Sequence, residues 1–379
     1  MGSRKYFLDW LRVLAFGFLI LFHCGMLYVP WHYNLKSPRL VPEIVGLMDA
    51  LSAFRLPLLF FVSGVACRFL IARLGPGRFA LDRVRRLMPV LLIGMFVVIP
   101  PQTYVELVSK GITHQTYWDF WVHSYLAADQ TMVRPLHKTM PTWDHLWFIV
   151  YLFLYALLFA LAFRFTHFGA RRGAALFRVP LQFLLLAPAV LLAIANLLIR
   201  YVWPMTDGLE NDWGAHLKWI GMFAFGILCA TQPMFWEWVR FHRLRFLVSA
   251  ALLLAAQALT NDPAWNALDG FYAWMAICAL LGYAEQYINR PSAVLTHLNE
   301  GVLPIYVLHQ PILLVAAFYI FPLHLPLAEE AALLIAITGL GSFFIYETAI
   351  RPFAIMRFLF GLKPKSLPAA IEIPQIARV

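Results

Sequence analysis

The opening apolar stretch of the chain, residues 6–28, carries ionisable side chains that could do chemistry. Arg12 and His23 lie eleven positions apart, which on an α-helix places them on one face, roughly 16 Å from each other. Ionisable groups inside a membrane helix are costly unless they face protein or a wet cavity. A histidine at such a cavity can serve as a general base near neutral pH. We interpret this helix as lining a reaction site; the alternative is a helix whose polar groups only satisfy packing in the bundle.

The composition predicts the class of protein in which this helix sits. Of 379 residues, 61% are hydrophobic and 13% are charged, whereas a soluble domain carries about 25% charged residues. The apolar residues form runs of about twenty, separated by short polar loops, which is typical of a polytopic helical membrane protein. The net charge of +10 is then loop charge that orients the chain among membrane lipids. The sequence shows no basic region with interleaved aromatic residues, so we expect no nucleic-acid partner.

We therefore predict an all-α, polytopic integral membrane helical bundle of about ten transmembrane helices. The predicted spans are 6–28, 44–71, 87–108, 145–163, 180–200, 213–231, 246–260, 265–285, 301–321 and 328–350. Prolines and glycines fall between these spans or near their ends. With the N-terminus inside, about twenty Lys and Arg residues face the cytoplasm and six face out, so both termini are predicted to be cytoplasmic. Residues 1–360 form one transmembrane domain, and residues 361–379 form a cytoplasmic tail.

This topology converts sequence position into depth in the membrane. His23, Asp49, Asp144 and His145 then share the outer level, where Asp49 can orient the His23 ring and stabilise its imidazolium. Arg12 and Glu347 share the inner half, and we expect them to form an ion pair because either charge alone is expensive to bury.

Two further polar features border the predicted bundle. Arg83 and Arg86, within the basic stretch 73–86, predict either binding of lipid headgroups or a site for the phosphates of a cytosolic nucleotide-bearing donor. His309 precedes Pro311 in mid-span; the helix break indicates either a cavity nearby or a histidine satisfied by packing.

The outer segment 109–144 is rich in aromatic and histidine residues. It suits a sugar-like ligand, or it forms an interfacial aromatic belt that needs no ligand. No CxxC or HExxH motif is present, so we expect no metal site and no disulfide framework. Homo-oligomer formation is left open.

Several motifs together resemble the acyltransferase-3 family of membrane proteins. They are the Arg12 and His23 pair, FFVSG at 60–64, Arg83-x-x-Arg86, HLWFI at 145–149 and YVLHQPI at 306–312. YFLDWLR at the start, AFRLPLLFFVSG at 53–64, DHLWFI at 144–149 and FLFGLKP at 358–364 further resemble the members of that family that succinylate glucans.

The resemblance implies a ten-helix inner-membrane enzyme that takes an acyl group from cytosolic acyl-CoA. The acceptor is a hydroxyl of an outward-facing glycan, such as osmoregulated periplasmic glucan. His23 matches the catalytic histidine of the family, Arg12 its first-helix arginine, and Arg83 and Arg86 its donor-associated pair. Glu347 joins the catalytic set, although its spacing to Arg351-Pro352 is looser than in the family.

Our hypothesis for the reaction is direct transfer. The pantetheine arm enters beside Arg12 and Ser63, and His23 deprotonates the sugar hydroxyl that attacks the thioester. Trp147 or His145 steadies the oxyanion. A succinyl group needs a cation at the outer cavity, for which Arg55 is the candidate, whereas an acetyl group needs none. A route through an acylated histidine also stays open.

The rival interpretation is a secondary transporter or glycan exporter without acyl-transfer chemistry. It would also need buried arginine, histidine and glutamate, but concentrated at the bilayer midplane between related halves. A purely structural scaffold leaves the buried ionisable residues without a purpose, and we rank it last.

Overall fold

A computed structural model describes residues 5–134, 138–165, 179–206, 208–259 and 266–364. Throughout these ranges the regular structure is helical, as predicted. The longer helices are α1 (Tyr6–Met26), α2 (Val45–Leu74), α3 (Pro76–Ile93), α4 (Pro100–Ser109), α5 (Trp147–Phe165), α6 (Leu181–Tyr201), α7 (Trp213–Cys229), α8 (Pro233–Phe241), α9 (Arg243–Ala258), α10 (Asn266–Tyr287), α11 (Ala293–Ile320), α12 (Leu327–Ile345) and α13 (Ala354–Leu359). The predicted tail, 361–379, lies outside the described residues from position 365 onward.

Seven segments within the described ranges are long and apolar enough to cross a membrane. The pair α7 and α8, bent by 101° at a short break before Pro233, makes an eighth if it is one span. The chain is thus a multi-pass membrane protein. A helix lies at each of the ten predicted spans, but α9 has only 16 residues, so the count of ten stays a prediction. The cytoplasmic location of both termini also stays a prediction.

The basic stretch 73–86, which falls between two predicted spans, is largely helical. Gly75 adopts a left-handed backbone (φ 74°) and ends α2, and Pro76 then begins α3, as its fixed φ allows at a first helical position. Arg83 and Arg86 therefore lie on a helix. The helical run continues through a π-helical turn, Gly94–Val98, to the end of α4.

Glycine residues allow a close contact between helices α2 and α7. A Cβ atom on Gly64 would lie 2.0 Å from the Phe223 carbonyl oxygen, and one on Gly226 would lie 2.0 Å from that of Phe61. Two backbones in contact are typical of helix packing in membranes, where dispersion replaces the hydrophobic effect. This crossing fixes α2, which carries Arg55 and Ser63.

Helix α1 packs against α2, α10, α11 and α12, so it lies among neighbours on several sides. Its buried side chains include Leu11, Ala15, Leu19 and Phe22. Because Arg12 and His23 belong to the same rigid helix, their separation along the bundle is fixed.

Candidate functional site

Two cavities lie along α1, one on each half of the helix. The first, about 780 Å³, is lined by His23, Arg55, His145 and loop residues, and we call it the histidine cavity. The second, about 620 Å³, is lined by Arg12, Arg83 and other cations, and we call it the basic cavity.

A single layer of side chains is common to both cavities. Phe16, Leu59, Phe148 and Tyr306 line each of them and form a shared wall. The Phe16 ring meets Tyr306 edge-on, with ring centres 5.3 Å apart, and meets Phe148 at 6.4 Å. The two cavities therefore adjoin each other at these four largely apolar side chains.

His23 is held by a second histidine. Its Nδ1 lies 2.7 Å from Nε2 of His309, and the two rings are nearly parallel. Nδ1 of His309 lies 2.5 Å from the Tyr306 carbonyl oxygen, which only accepts, so Nδ1 carries the proton. The neutral His309 then accepts from Nδ1–H of His23. This assignment leaves Nε2 of His23 with a free lone pair, which is the form of a general base.

His145 completes a cluster of three histidine rings, with its ring centre 5.5 Å from that of His309. Its Nε2 donates to the Val307 carbonyl at 3.1 Å, and its buried Nδ1 has no hydrogen-bond partner in the described chain. In this neutral tautomer Nδ1 is an acceptor, so His145 does not suit the predicted role of oxyanion donor. It can instead accept a hydrogen bond from a ligand hydroxyl.

Arg55 is a buried cation in the wall of the histidine cavity. It is 4% exposed, and its Nε and Nη1 atoms have no hydrogen-bond partner among the described residues. Its guanidinium carbon lies 3.8 Å from the centre of the Phe22 ring, a cation–π contact. A buried guanidinium with open donors is expensive, so this position favours an anionic ligand.

A polar network borders the mouth of the same cavity. Asn34 donates to Glu106 at 2.9 Å and to Asp144 at 3.1 Å, and Gln310 donates to Asp144 at 3.2 Å. Lys138 contacts both carboxylates, at 2.6 and 3.6 Å. Burial opposes the charged form, but the two carboxylates outweigh it and raise the pKa of Lys138. The network joins the connecting loops to α11 next to His309.

In the basic cavity, Arg12 pairs with Asp9 at 3.7 Å and donates to Asn299 at 3.4 Å. Ser63, in the C-terminal half of α2, lines the same space. The predicted Arg12–Glu347 pair is wrong, because Arg12 contacts this acidic neighbour on its own helix instead.

The arginines of α3 also reach the basic cavity. Arg83 pairs with Asp82, and Arg86 donates from Nε to the Gly361 carbonyl at 3.0 Å. Lys5, Arg73 and Lys363 line the cavity as well. Six cations against one lining carboxylate favour a polyanionic ligand.

The two predicted catalytic carboxylates lie elsewhere. Asp49 is exposed and lines neither cavity, so the structure does not bring it to His23. Glu347 contacts His297 at 2.6 Å and Arg351 at 2.9 Å, also away from both cavities. The partner of His23 is His309, which had been predicted only as a ligand-binding or packing residue.

The aromatic residues divide between two surfaces. Trp147 lines the histidine cavity, together with Trp143 and Trp219. The Trp219 indole N–H is buried and has no acceptor in the described chain. Trp118 and Trp121, from the predicted sugar-binding segment, line neither cavity, and Trp118 is 65% exposed. These two suit an interfacial belt.

Sequence reasoning missed Tyr306, Trp219, Lys138 and Asn34. Only Tyr306 had a local signal, since it stands one helical turn before His309, where its carbonyl can accept from the ring. The others come from loops or from an otherwise apolar helix.

The chain is similar to known proteins along nearly its whole length. The relatives include the protein named Glucans biosynthesis protein C from Salmonella paratyphi B, Salmonella enteritidis and Salmonella heidelberg. Each is 25% identical over 385 residues, covering 96% of both chains. No solved structure matches. The acyltransferase domain profile matches residues 5–347, and the chain therefore belongs to the acyltransferase-3 family.

Proposed function

We propose that this protein is an inner-membrane O-acyltransferase that moves an acyl group from cytosolic acyl-CoA to a hydroxyl of a periplasmic glycan. The observation that carries the proposal is the pair of cavities with opposite chemistry, divided by one shared wall. The basic cavity suits the phosphates of CoA, and the histidine cavity suits an alcohol. With both termini in the cytoplasm, the basic cavity faces the donor's compartment.

The His23–His309 pair supplies the base. Nε2 of His23 removes the proton of the acceptor hydroxyl as its oxygen attacks the thioester carbonyl carbon. The new C–O bond forms, the C–S bond breaks, and the CoA thiolate takes the proton from the His23 imidazolium. His309 keeps Nδ1 of His23 in the donating form throughout, as a positioning residue.

Donors for the developing oxyanion lie in the same cavity. The Trp219 N–H replaces His145 as our candidate, because its donor is buried and open. Trp147, whose ring lies 5.9 Å from that of Trp219, stays a candidate as well. A route through an acylated His23 uses the same Nε2 and is distinguished by trapping the intermediate.

Arg55 favours succinyl over acetyl as the group transferred. A succinyl thioester ends in a carboxylate that can accept from the open Nε and Nη1 donors. An acetyl group leaves this buried cation without a counter-ion, which is the costlier arrangement.

The acceptor class follows from the relatives' name and from the cavity lining. Trp143 and Trp147 offer flat faces for sugar rings, and Asp144, His145 and His32 offer groups for hydroxyls. We propose osmoregulated periplasmic glucan as the acceptor.

The decisive experiment compares periplasmic glucans by mass spectrometry from cells with and without the protein. We expect succinyl groups only when the wild-type protein is present. His23→Ala should abolish them, whereas His123→Ala, at an exposed histidine outside both cavities, should retain them. Glucans that are unmodified in both strains but absent from the periplasm without the protein would instead indicate an exporter.

A further inference from the structure

The FLFGLKP segment near the end of the described chain forms a tight loop against the basic cavity. Gly361 adopts a left-handed backbone (φ 69°), and a Cβ atom there would lie 2.7 Å from the Arg86 carbonyl oxygen and 2.9 Å from Leu303 and Val90 side-chain atoms. Only glycine fits both the conformation and the space. The flanking Phe360 and Leu362 are buried, so the loop is packed in place.

A buried arginine anchors this loop. Arg357, 5% exposed, donates to the Lys363 carbonyl at 2.9 and 2.6 Å and to the Arg351 carbonyl at 3.2 Å. Its guanidinium also pairs with Glu300 on α11 at 2.5 Å. The anchor fixes the backbone of Lys363 while leaving its side chain exposed at the basic cavity.

The cations around the cavity fall into two groups. Lys5, Arg12 and Arg83 each contact a carboxylate, namely Glu285, Asp9 and Asp82. Arg73, Arg86 and Lys363 contact no carboxylate within the described ranges. Arg86 bonds the Gly361 carbonyl through Nε alone, so its two terminal nitrogens stay available for a ligand.

We propose that the loop 360–363 is part of the donor site, with Lys363 binding a phosphate of the donor and Gly361 positioning Arg86 for another. The inference rests on the proposed function in taking CoA as the donor. Arg73, Arg86 and Lys363 contact no carboxylate in the described ranges, so they can bind phosphate oxygens. The family motifs assign roles to residues of the first helix and to Arg83 and Arg86, but none to this loop. Its position beside the basic cavity indicates a role in donor binding.

The test measures binding to the purified, full-length protein in detergent. CoA carries a 3′-phosphoadenosine diphosphate and pantetheine carries neither phosphate nor nucleoside, so the two probes separate contacts to the nucleotide part from contacts to the arm. We expect Lys363→Gln to weaken CoA binding about tenfold, as for loss of one charged hydrogen bond, and to leave pantetheine binding unchanged. Arg85→Gln is the control, since Arg85 is an exposed cation on the same helix as Arg86 but lies outside the cavity lining.

Gly361→Ala provides a second, independent variant. It should displace the carbonyl that holds Arg86 and weaken CoA binding at least as much as Lys363→Gln, with the protein still folded by thermal unfolding. If Lys363→Gln and Arg85→Gln reduce CoA binding equally, only the general field matters and the inference is overturned. If the wild-type protein binds CoA no better than pantetheine, the proposed donor itself is wrong, which is a separate result.

Discussion

The two cavities hold their polar groups in opposite ways. In the histidine cavity, His23, His145 and His309 each donate a hydrogen bond to a specific acceptor. Geometry therefore sets the tautomer of each ring. In the basic cavity, cations outnumber carboxylates, and a neutral carbonyl holds Arg86. The first arrangement places a proton on a chosen atom, and the second raises the concentration of a polyanion. Variants of the first should therefore change kcat, and variants of the second should change KM.

The largest effect is expected from His23→Ala. Loss of the general base should lower kcat about a thousandfold, because positioned proton transfer contributes on this scale. The KM for the donor should stay unchanged, since the basic cavity is intact. Transfer rates with labelled succinyl-CoA in proteoliposomes measure both quantities. A loss confined to KM would erase the distinction between the cavities.

His309→Ala should lower kcat about a hundredfold. The general base, Nε2 of His23, is still present in this variant, but His23 has lost the partner that sets its tautomer. Donor KM should again be unchanged. The pH dependence of kcat is the second readout, since a mere loss of packing would not move it. An unchanged pH profile with lowered thermal stability would reduce His309 to a structural residue.

Arg55→Gln sharpens the comparison within the histidine cavity. It should lower succinyl transfer about thirtyfold while acetyl transfer changes little, since a buried charged hydrogen bond is lost only with the dicarboxylic group. Arg55→Lys keeps the charge without the two-donor geometry, so its rate of succinyl transfer should lie between those of the wild-type protein and Arg55→Gln. The measured quantity is the ratio of kcat/KM for the two donors, and an unchanged ratio would remove Arg55 from acyl recognition.

Arg86→Gln should have the smallest effect, raising the KM for succinyl-CoA about tenfold with kcat unchanged. The difference in KM between this variant and the wild-type protein should diminish at high ionic strength, because salt screens the interaction between Arg86 and the donor phosphates. Arg85→Gln should leave KM close to the wild-type value. A fall in kcat without a change in KM would contradict the assignment of the basic cavity to binding.

Much of the fold was accessible from sequence because hydropathy runs and helix breakers act locally. Helices lie at all ten predicted positions, and the Arg12–His23 spacing correctly placed two polar residues on the cavity-lining face of α1. What hydropathy does not specify is how a short or bent segment such as α9 or the α7–α8 pair relates to the membrane.

The site was less accessible, because depth in a membrane does not specify rotation about a helix axis. Asp49 and Arg55 share a depth range, but six residues on a helix turn the side chain by about 240°, so both cannot face one cavity. Arg55 faces it and Asp49 does not. Glu347 had a nearer partner four residues along, Arg351, which local spacing favours over a distant helix.

The wall formed by Phe16, Leu59, Phe148 and Tyr306 has a consequence for the energised membrane. An open pore between the two compartments would short-circuit the proton-motive force, whereas a largely apolar wall resists ions. On the proposed reaction only the acyl group needs to cross it. The cell would then decorate its external polymer with a cytosolic metabolite without a continuous ion path between the compartments.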